Sequence, residues 1–294
     1  MKQELVNSTF DLQTVADDLC EVRRIYADFF AKLTDEDWDR PVKGSPKEWN
    51  LHHTVAHLCA LTGTGLASIE AALQGEKYDF EGLTDRYEFD AFNLHGIDEH
   101  LHISRQDLCT EFLGILDRAI EIARTLRPEQ ADMVVEMPIY NRPVRVVETI
   151  CILLFHAGLH HSAQVAEPAR LPPLWMQLKP DIRHRIIGRV MCALSLLYRH
   201  DLGGDLRTAF TFDIAGPGGG TWVVHISPEA ASAEETNEHY PGLTLHLREP
   251  AVFCRMFTGR FNPIISLLDG DLRLKGDLPL FLRFGSLFSV TAHH

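Results

Sequence analysis

The sequence has no basic run, and 28 Lys and Arg against 41 Asp and Glu leave a formal charge of −13. Nucleic-acid binders draw affinity from clustered cations, so nucleic acid is not an expected partner. Its six cysteines, at 20, 59, 109, 151, 192 and 254, form no CxxC pair. A chain of this size does not need disulfide staples, so reduced, mostly buried thiols are expected. No stretch approaches the roughly 20 apolar residues of a membrane span, and MKQELVNSTFDLQ lacks a signal core. These absences point to the cytoplasm without membrane insertion; a monomer or homodimer is the expected assembly. Phosphate-loop and serine-hydrolase chemistry also lack their motifs: GPGGG precedes no helix pattern, and no G-x-S-x-G elbow occurs. The closing His293 and His294 read as a tag remnant and carry no weight.

What is present fits a globular protein, with 45% apolar and 23% charged residues over 294 positions. That length suggests two domains. The first half reads as helices. Leu12, Val15, Leu19, Val22, Tyr26, Phe29 and Leu33 recur at steps of three and four. A second helix is expected from Leu51 to Leu73, stopping near Gly75, and a third after Ser104, with room to extend upstream. Pro143 suits the first turn of a fourth, carrying Val147, Ile150 and Leu154 before EPARLPP. Four such helices suggest a bundle spanning residues 1–172. Residues 173–294 change character. A helix from about Lys179 to His200 gives way to period-two alternation at Phe210, Phe212, Ile214, then Leu243, Leu245, Leu247, then Leu272, Leu274. GPGGG would turn a hairpin there. The expected fold class is therefore multidomain, a four-helix bundle followed by an α+β domain.

Three histidines draw attention: His57 in WNLHHTVAHL, and His156 with His160 in FHAGLHHSAQV. Residues four apart on a helix lie about 40° apart, so His156 and His160 share a face. With His57 from another helix they would make a three-histidine metal site that leaves positions open for a thiol, water or substrate. Imidazole suits Zn, Fe, Ni and Cu, with Zn²⁺ expected first and Fe or Ni next. His53, four before His57, is the expected supporting or substitute ligand, while His52 and His161 should point elsewhere by helical phase. An alternative register set by His161-x-x-Gln164 would move the ligand by one residue, yet no histidine stands four before His161. His95, His100 and His102 read as a solvated or partly buried helix entry rather than a metal site, and Asp90 and Glu99 as possible acceptors for ligand imidazoles. No catalytic residue beyond these ligands is assigned.

A Trp after a proline-containing turn, with a His eight positions on in Ala-His-Leu, resembles the second helix of the DinB-like family. Trp49, His53 and His57 are similar to its mycothiol-dependent maleylpyruvate isomerase branch in particular. In that branch the fourth helix carries a metal-binding carboxylate, three residues, then a double histidine. This chain places His156 where the carboxylate would stand, the all-histidine pattern of DinB-like proteins more broadly. Three neutral imidazoles would leave the ion its full charge and make a bound thiol more acidic. The resemblance covers about residues 10–170 and implies a metal-dependent enzyme using mycothiol or another low-molecular-weight thiol, an S-transferase or cis-trans isomerase acting on a small hydrophobic electrophile.

Residues 175–290 resemble a sterol-carrier-protein domain, carried by Phe257-Thr258-Gly259, Asn262-Pro263, Asp269-Gly270-Asp271 and Gly276-Asp277. That resemblance implies an apolar tunnel, with Phe253, Met256, Phe257, Leu267, Leu268, Phe281, Phe284 and Phe288 as core or lining. Two rivals follow: a lipid or apolar small-molecule binding protein with a structural metal, and a thiol-independent metal enzyme, either a hydrolase or Fe(II)-dependent.

Overall fold

The computed structural model describes residues 10–43, 49–238 and 240–288. MKQELVNST, part of the Trp49 turn, and the closing His293 and His294 lie outside the described residues. The N-terminal part is helical and the C-terminal part contains a sheet, giving a mixed α and α+β protein. Contacts divide the described chain into a unit of Phe10–Met137 with Pro143–Leu178, and a unit of Lys179 onward with Pro138–Arg142. The 3₁₀ turn Leu174–Gln177, beyond the expected boundary at 172, belongs to the helical unit, where Leu174 and Trp175 are buried.

Helix α1 (Leu12–Phe30) starts where the Asp11 carboxylate accepts the Thr14 N–H at 2.9 Å. It buries Leu19, Val22, Tyr26 and Phe29 along one stripe. Helix α2 (Leu51–Leu73) is capped by Asn50 and stops where Gly75 takes φ +78°, a conformation glycine adopts without strain. Helix α3 (Phe89–His100) is separate from α4 (Arg105–Thr125), so the third expected helix is interrupted rather than extended upstream. Ser104 causes the break, its hydroxyl capping the Asp107 N–H at 3.1 Å.

Pro143 does not open the fourth helix. It precedes the short strand β2 (Val144–Arg145), which pairs antiparallel with β1 (Val134–Val135). Helix α5 (Val146–Phe155) starts later, at a capping box in which Glu148 takes the Arg145 N–H at 2.9 Å. Helices α1 and α2 each pack on α4 and on α5, and α4 touches α5. Where α2 meets α5, a Cβ at Gly65 would lie 2.6 Å from Leu153, so glycine permits the close approach of the two histidine-bearing helices.

The expectation of no span-length apolar helix needs correction, because Leu51–Leu73 and Val146–Ala166 reach that length and apolarity. Their apolar windows are 61% and 78% buried, as befits core helices.

In the other unit, α6 (Pro180–Leu197) packs against a five-stranded sheet of order β5-β4-β3-β6-β7. The strands are β3 (Thr208–Ile214), β4 (Gly220–Ile226), β5 (Ala231–Glu235), β6 (Gly242–Leu247) and β7 (Leu272–Gly276). GPGGG turns the β3–β4 hairpin, β3 and β6 run parallel, and the other pairs are antiparallel. The period-two residues of β3 and β6 are buried, as alternation requires.

Helices α7 (Pro250–Phe257), α8 (Pro263–Leu268) and α9 (Pro279–Leu287) complete this unit. Phe210, Phe212, Phe253, Phe284 and Phe288 form a ring cluster, edge-to-face except for the tilted Phe284–Phe288 pair. Leu267 and Leu268 are exposed instead, at 43% and 81%.

At the start of β6, Gly242 has φ +142°, and a Cβ there would collide with the Ala209 carbonyl of the paired strand. Neither backbone can yield without breaking the ladder. Gly242→Ala should therefore destabilise this unit by about 3 kcal/mol, read by urea unfolding. A wild-type midpoint would show that the strand end is not held in this conformation.

Candidate metal centre

Helix α2 carries His57 inward, 5% exposed, with the Trp49 ring 5.4 Å from its own. Across from it, α5 delivers His156 at its C-terminal end. Beyond that point the backbone changes pitch. Residues His156–His160 form a π-turn, and the His161 N–H reaches the His156 carbonyl at 3.1 Å, five residues back. In an unbroken α-helix His161 would stand about 140° around from His156. The wider turn brings both to one face.

His57 Nε2 lies 3.2 Å from His156 Nε2 and 3.1 Å from His161 Nε2, and the three ligand atoms are mutually within 4.8 Å. The third imidazole is thus His161 rather than His160. The His160 ring flanks the group, 6.2 Å from His156 and 4.5 Å from His161. The physical reason is the π-turn, which invalidates the four-residue spacing rule at this point.

Burial first, then the neighbouring His160 imidazole, pushes His57 down to about 3. His156 and His161 are driven well below the ordinary histidine value, again by burial first and then by neighbouring imidazoles. All three are neutral at pH 7. His57 Nε2 carries at most one proton, so it cannot donate along both short contacts. Both contacts fit a shared cation: nitrogens about 2.05 Å from one ion, at roughly 100°, would stand about 3.1 Å apart.

His161 is prepared for that role. Its Nδ1 proton is taken by Gln164 Oε1, leaving the Nε2 lone pair toward the group. His57 Nδ1 and His156 Nδ1 are buried without hydrogen-bond partners. The His161-x-x-Gln164 ending was the one sequence signal for this arrangement.

The remaining histidines lie elsewhere. His53 faces its own helix cap, Nδ1 2.6 Å from Asn50 Oδ1, and His52 packs edge-on against Trp38. His95 pairs with Glu99, while His100 bridges the Gly96 carbonyl and Glu111. Asp90 sits in the first turn of α3. Among the described residues, His57, His156 and His161 are the group able to hold a metal.

Residues 19–162, which include all three histidines, match the family described as Mycothiol maleylpyruvate isomerase N-terminal domain. Residues 202–289 match the SCP-2 sterol transfer family. Among curated protein sequences, none matches. The crystal structure of the mycothiol-dependent maleylpyruvate isomerase is similar in fold, with TM-score 0.56 and 12% identity over 91% of this chain and 95% of that one. A histidine-to-alanine variant of that enzyme matches at TM-score 0.56 and 11% identity, with the same coverage. The chain therefore matches, in order, the mycothiol maleylpyruvate isomerase N-terminal domain over residues 19–162 and the SCP-2 sterol transfer family over residues 202–289.

Proposed function

We propose that this chain is a metal-dependent, thiol-using enzyme that transfers a thiol to, or isomerises, a small apolar electrophile. The carrying observation is the convergence of three neutral imidazole nitrogens from His57, His156 and His161, with His57 and His161 buried and His156 half-buried. A divalent ion held there, Zn²⁺ first, would lower the pKa of a bound thiol and polarise a substrate oxygen. Three neutral donors cancel none of its charge. The family match supports mycothiol or another low-molecular-weight thiol as the nucleophile. Three of the chain's own thiols are poor nucleophiles, since burial pushes Cys109 up to about 11, Cys254 up to about 12, and Cys59 higher still, which supports an external one. Addition of a thiolate to a cis double bond leaves a single bond free to rotate. Elimination then returns the thiol and the trans product.

We read α1, α2, α4 and α5 as a DinB-like four-helix bundle, supported by their packing. The SCP-2 match supports an apolar substrate or ligand for the C-terminal unit, and use of a low-molecular-weight thiol supports a location in the reducing cytoplasm. A binding role for an apolar small molecule, with the metal only bracing the helices, is the second reading that this match favours.

The test is to strip the protein with chelator, reload it with Zn²⁺, and assay conjugated cis acids and activated electrophiles with and without thiols. Turnover that requires both metal and thiol is expected. Saturable binding of apolar ligands without thiol-dependent turnover would overturn the enzyme in favour of the binding protein.

A further inference from the structure

The π-turn leaves a mark one residue beyond His156. An uninterrupted α-helix would pair the His161 N–H with the Ala157 carbonyl, but here that N–H goes to His156. The Ala157 carbonyl accepts instead from the Tyr26 hydroxyl on α1, at 2.8 Å and fully buried. Tyr26 is a fixed donor. Its ring has 0% exposure and is held edge-on by Phe112 at 4.9 Å and Phe29 at 6.5 Å. A second local bond, Ser162 Oγ to the Leu159 carbonyl at 2.7 Å, closes the far side of the turn. An α-helix that gives up a ladder bond in a buried place needs another partner for the exposed carbonyl, and Tyr26 is placed to be that partner.

We infer that Tyr26 is a positioning residue for the histidine centre: by taking the Ala157 carbonyl it stabilises the π-turn that brings His161, rather than His160, to His57 and His156. The inference rests on the metal reading above and adds to it a residue on a third helix that touches no ligand atom. A buried phenol contributing only to general stability would be insensitive to the state of the metal. One contributing to the register of His161 changes the affinity and geometry of the ion.

The experiment compares the full-length wild type with Tyr26→Phe, which keeps the ring and removes only the hydroxyl, using Co²⁺ as the probe. Two controls accompany it: Val22→Ala, a core truncation on the same helix, and His161→Ala. Affinity comes from competition with a chelating dye, coordination from the visible absorption bands of Co²⁺, and folding from circular dichroism and thermal melting. Tyr26→Phe should stay folded, bind Co²⁺ on the order of tenfold more weakly, and show altered bands. Val22→Ala should lose stability with wild-type affinity and bands.

Tyr26→Phe with wild-type affinity and bands, while His161→Ala loses Co²⁺, would overturn the role of Tyr26 and leave the metal reading standing. Equal weakening in Val22→Ala would do the same, by showing that any loss of stability suffices. A wild type that binds no Co²⁺ would overturn the metal reading and this inference together.

Discussion

Replacing His161 by alanine is expected to strip the metal from the protein, whereas replacing His160 leaves it bound. The nitrogen of His161 stands 3.1 Å from that of His57, and its Nδ1 is engaged by Gln164, so it would contribute a full ligand. His160 flanks the group with its ring. If three ligands share the roughly 10–16 kcal/mol typical of protein-bound zinc, each accounts for about 3–5 kcal/mol, or about 10²–10³-fold or more in affinity. Metal content of the purified variants by mass spectrometry reads this directly. The reverse pattern, with His160→Ala empty and His161→Ala loaded, would mean that the helix runs through this point without the π-turn.

Acidification should unfold the metal-free protein early. An unfolded histidine takes its proton near pH 6.5, whereas the folded values are depressed, His57 to about 3 and His156 and His161 also far down. Below pH 6.5 the unfolded chain therefore binds protons that the folded chain refuses, and stability falls as pH falls. Each such group contributes about 1.4 kcal/mol per pH unit, and the three together about 4. His184 in the other unit runs the opposite way. Its pairing with Glu235 raises it, so its contribution is present below its unfolded value and is lost as pH rises through the folded one. Urea unfolding of chelator-treated protein between pH 7 and 5.5 should show the helical unit weakening steeply. Substituting one of the three histidines by asparagine should make the slope shallower. A flat profile in the parent protein would show that the folded imidazoles accept protons after all.

Much of the architecture is readable from local chemistry. The Asn50 cap and Gly75 stop bound α2 at Leu51–Leu73, as the pattern predicts, and period-two burial picks out β3 and β6. Where the reading went astray, the deciding force was tertiary or conformational. Pro143 is compatible with a helix start, yet pairing of β2 with β1 takes the next two residues first. The exchange of His160 for His161 has the same origin. Spacing arguments assume an α ladder, and a π-turn has no composition of its own to announce it. Its support comes from Tyr26, 131 positions away in sequence, and from Ser162. His57 and His156 were visible because they sit where the ladder is still regular.

The π-turn also bears on how the chain should be compared with its relatives. Such a turn is an α-helix with one residue added, so removing any single residue from Ala157 to His160 would bring His161 four positions after His156. HAGLHH is thus structurally a His-x-x-x-His motif carrying one insertion. A gapless alignment to a relative with an ordinary helix will set His160 against the ligand and displace every later residue by one. With His161 as the proposed ligand, the matching alignment opens its gap between His156 and His161.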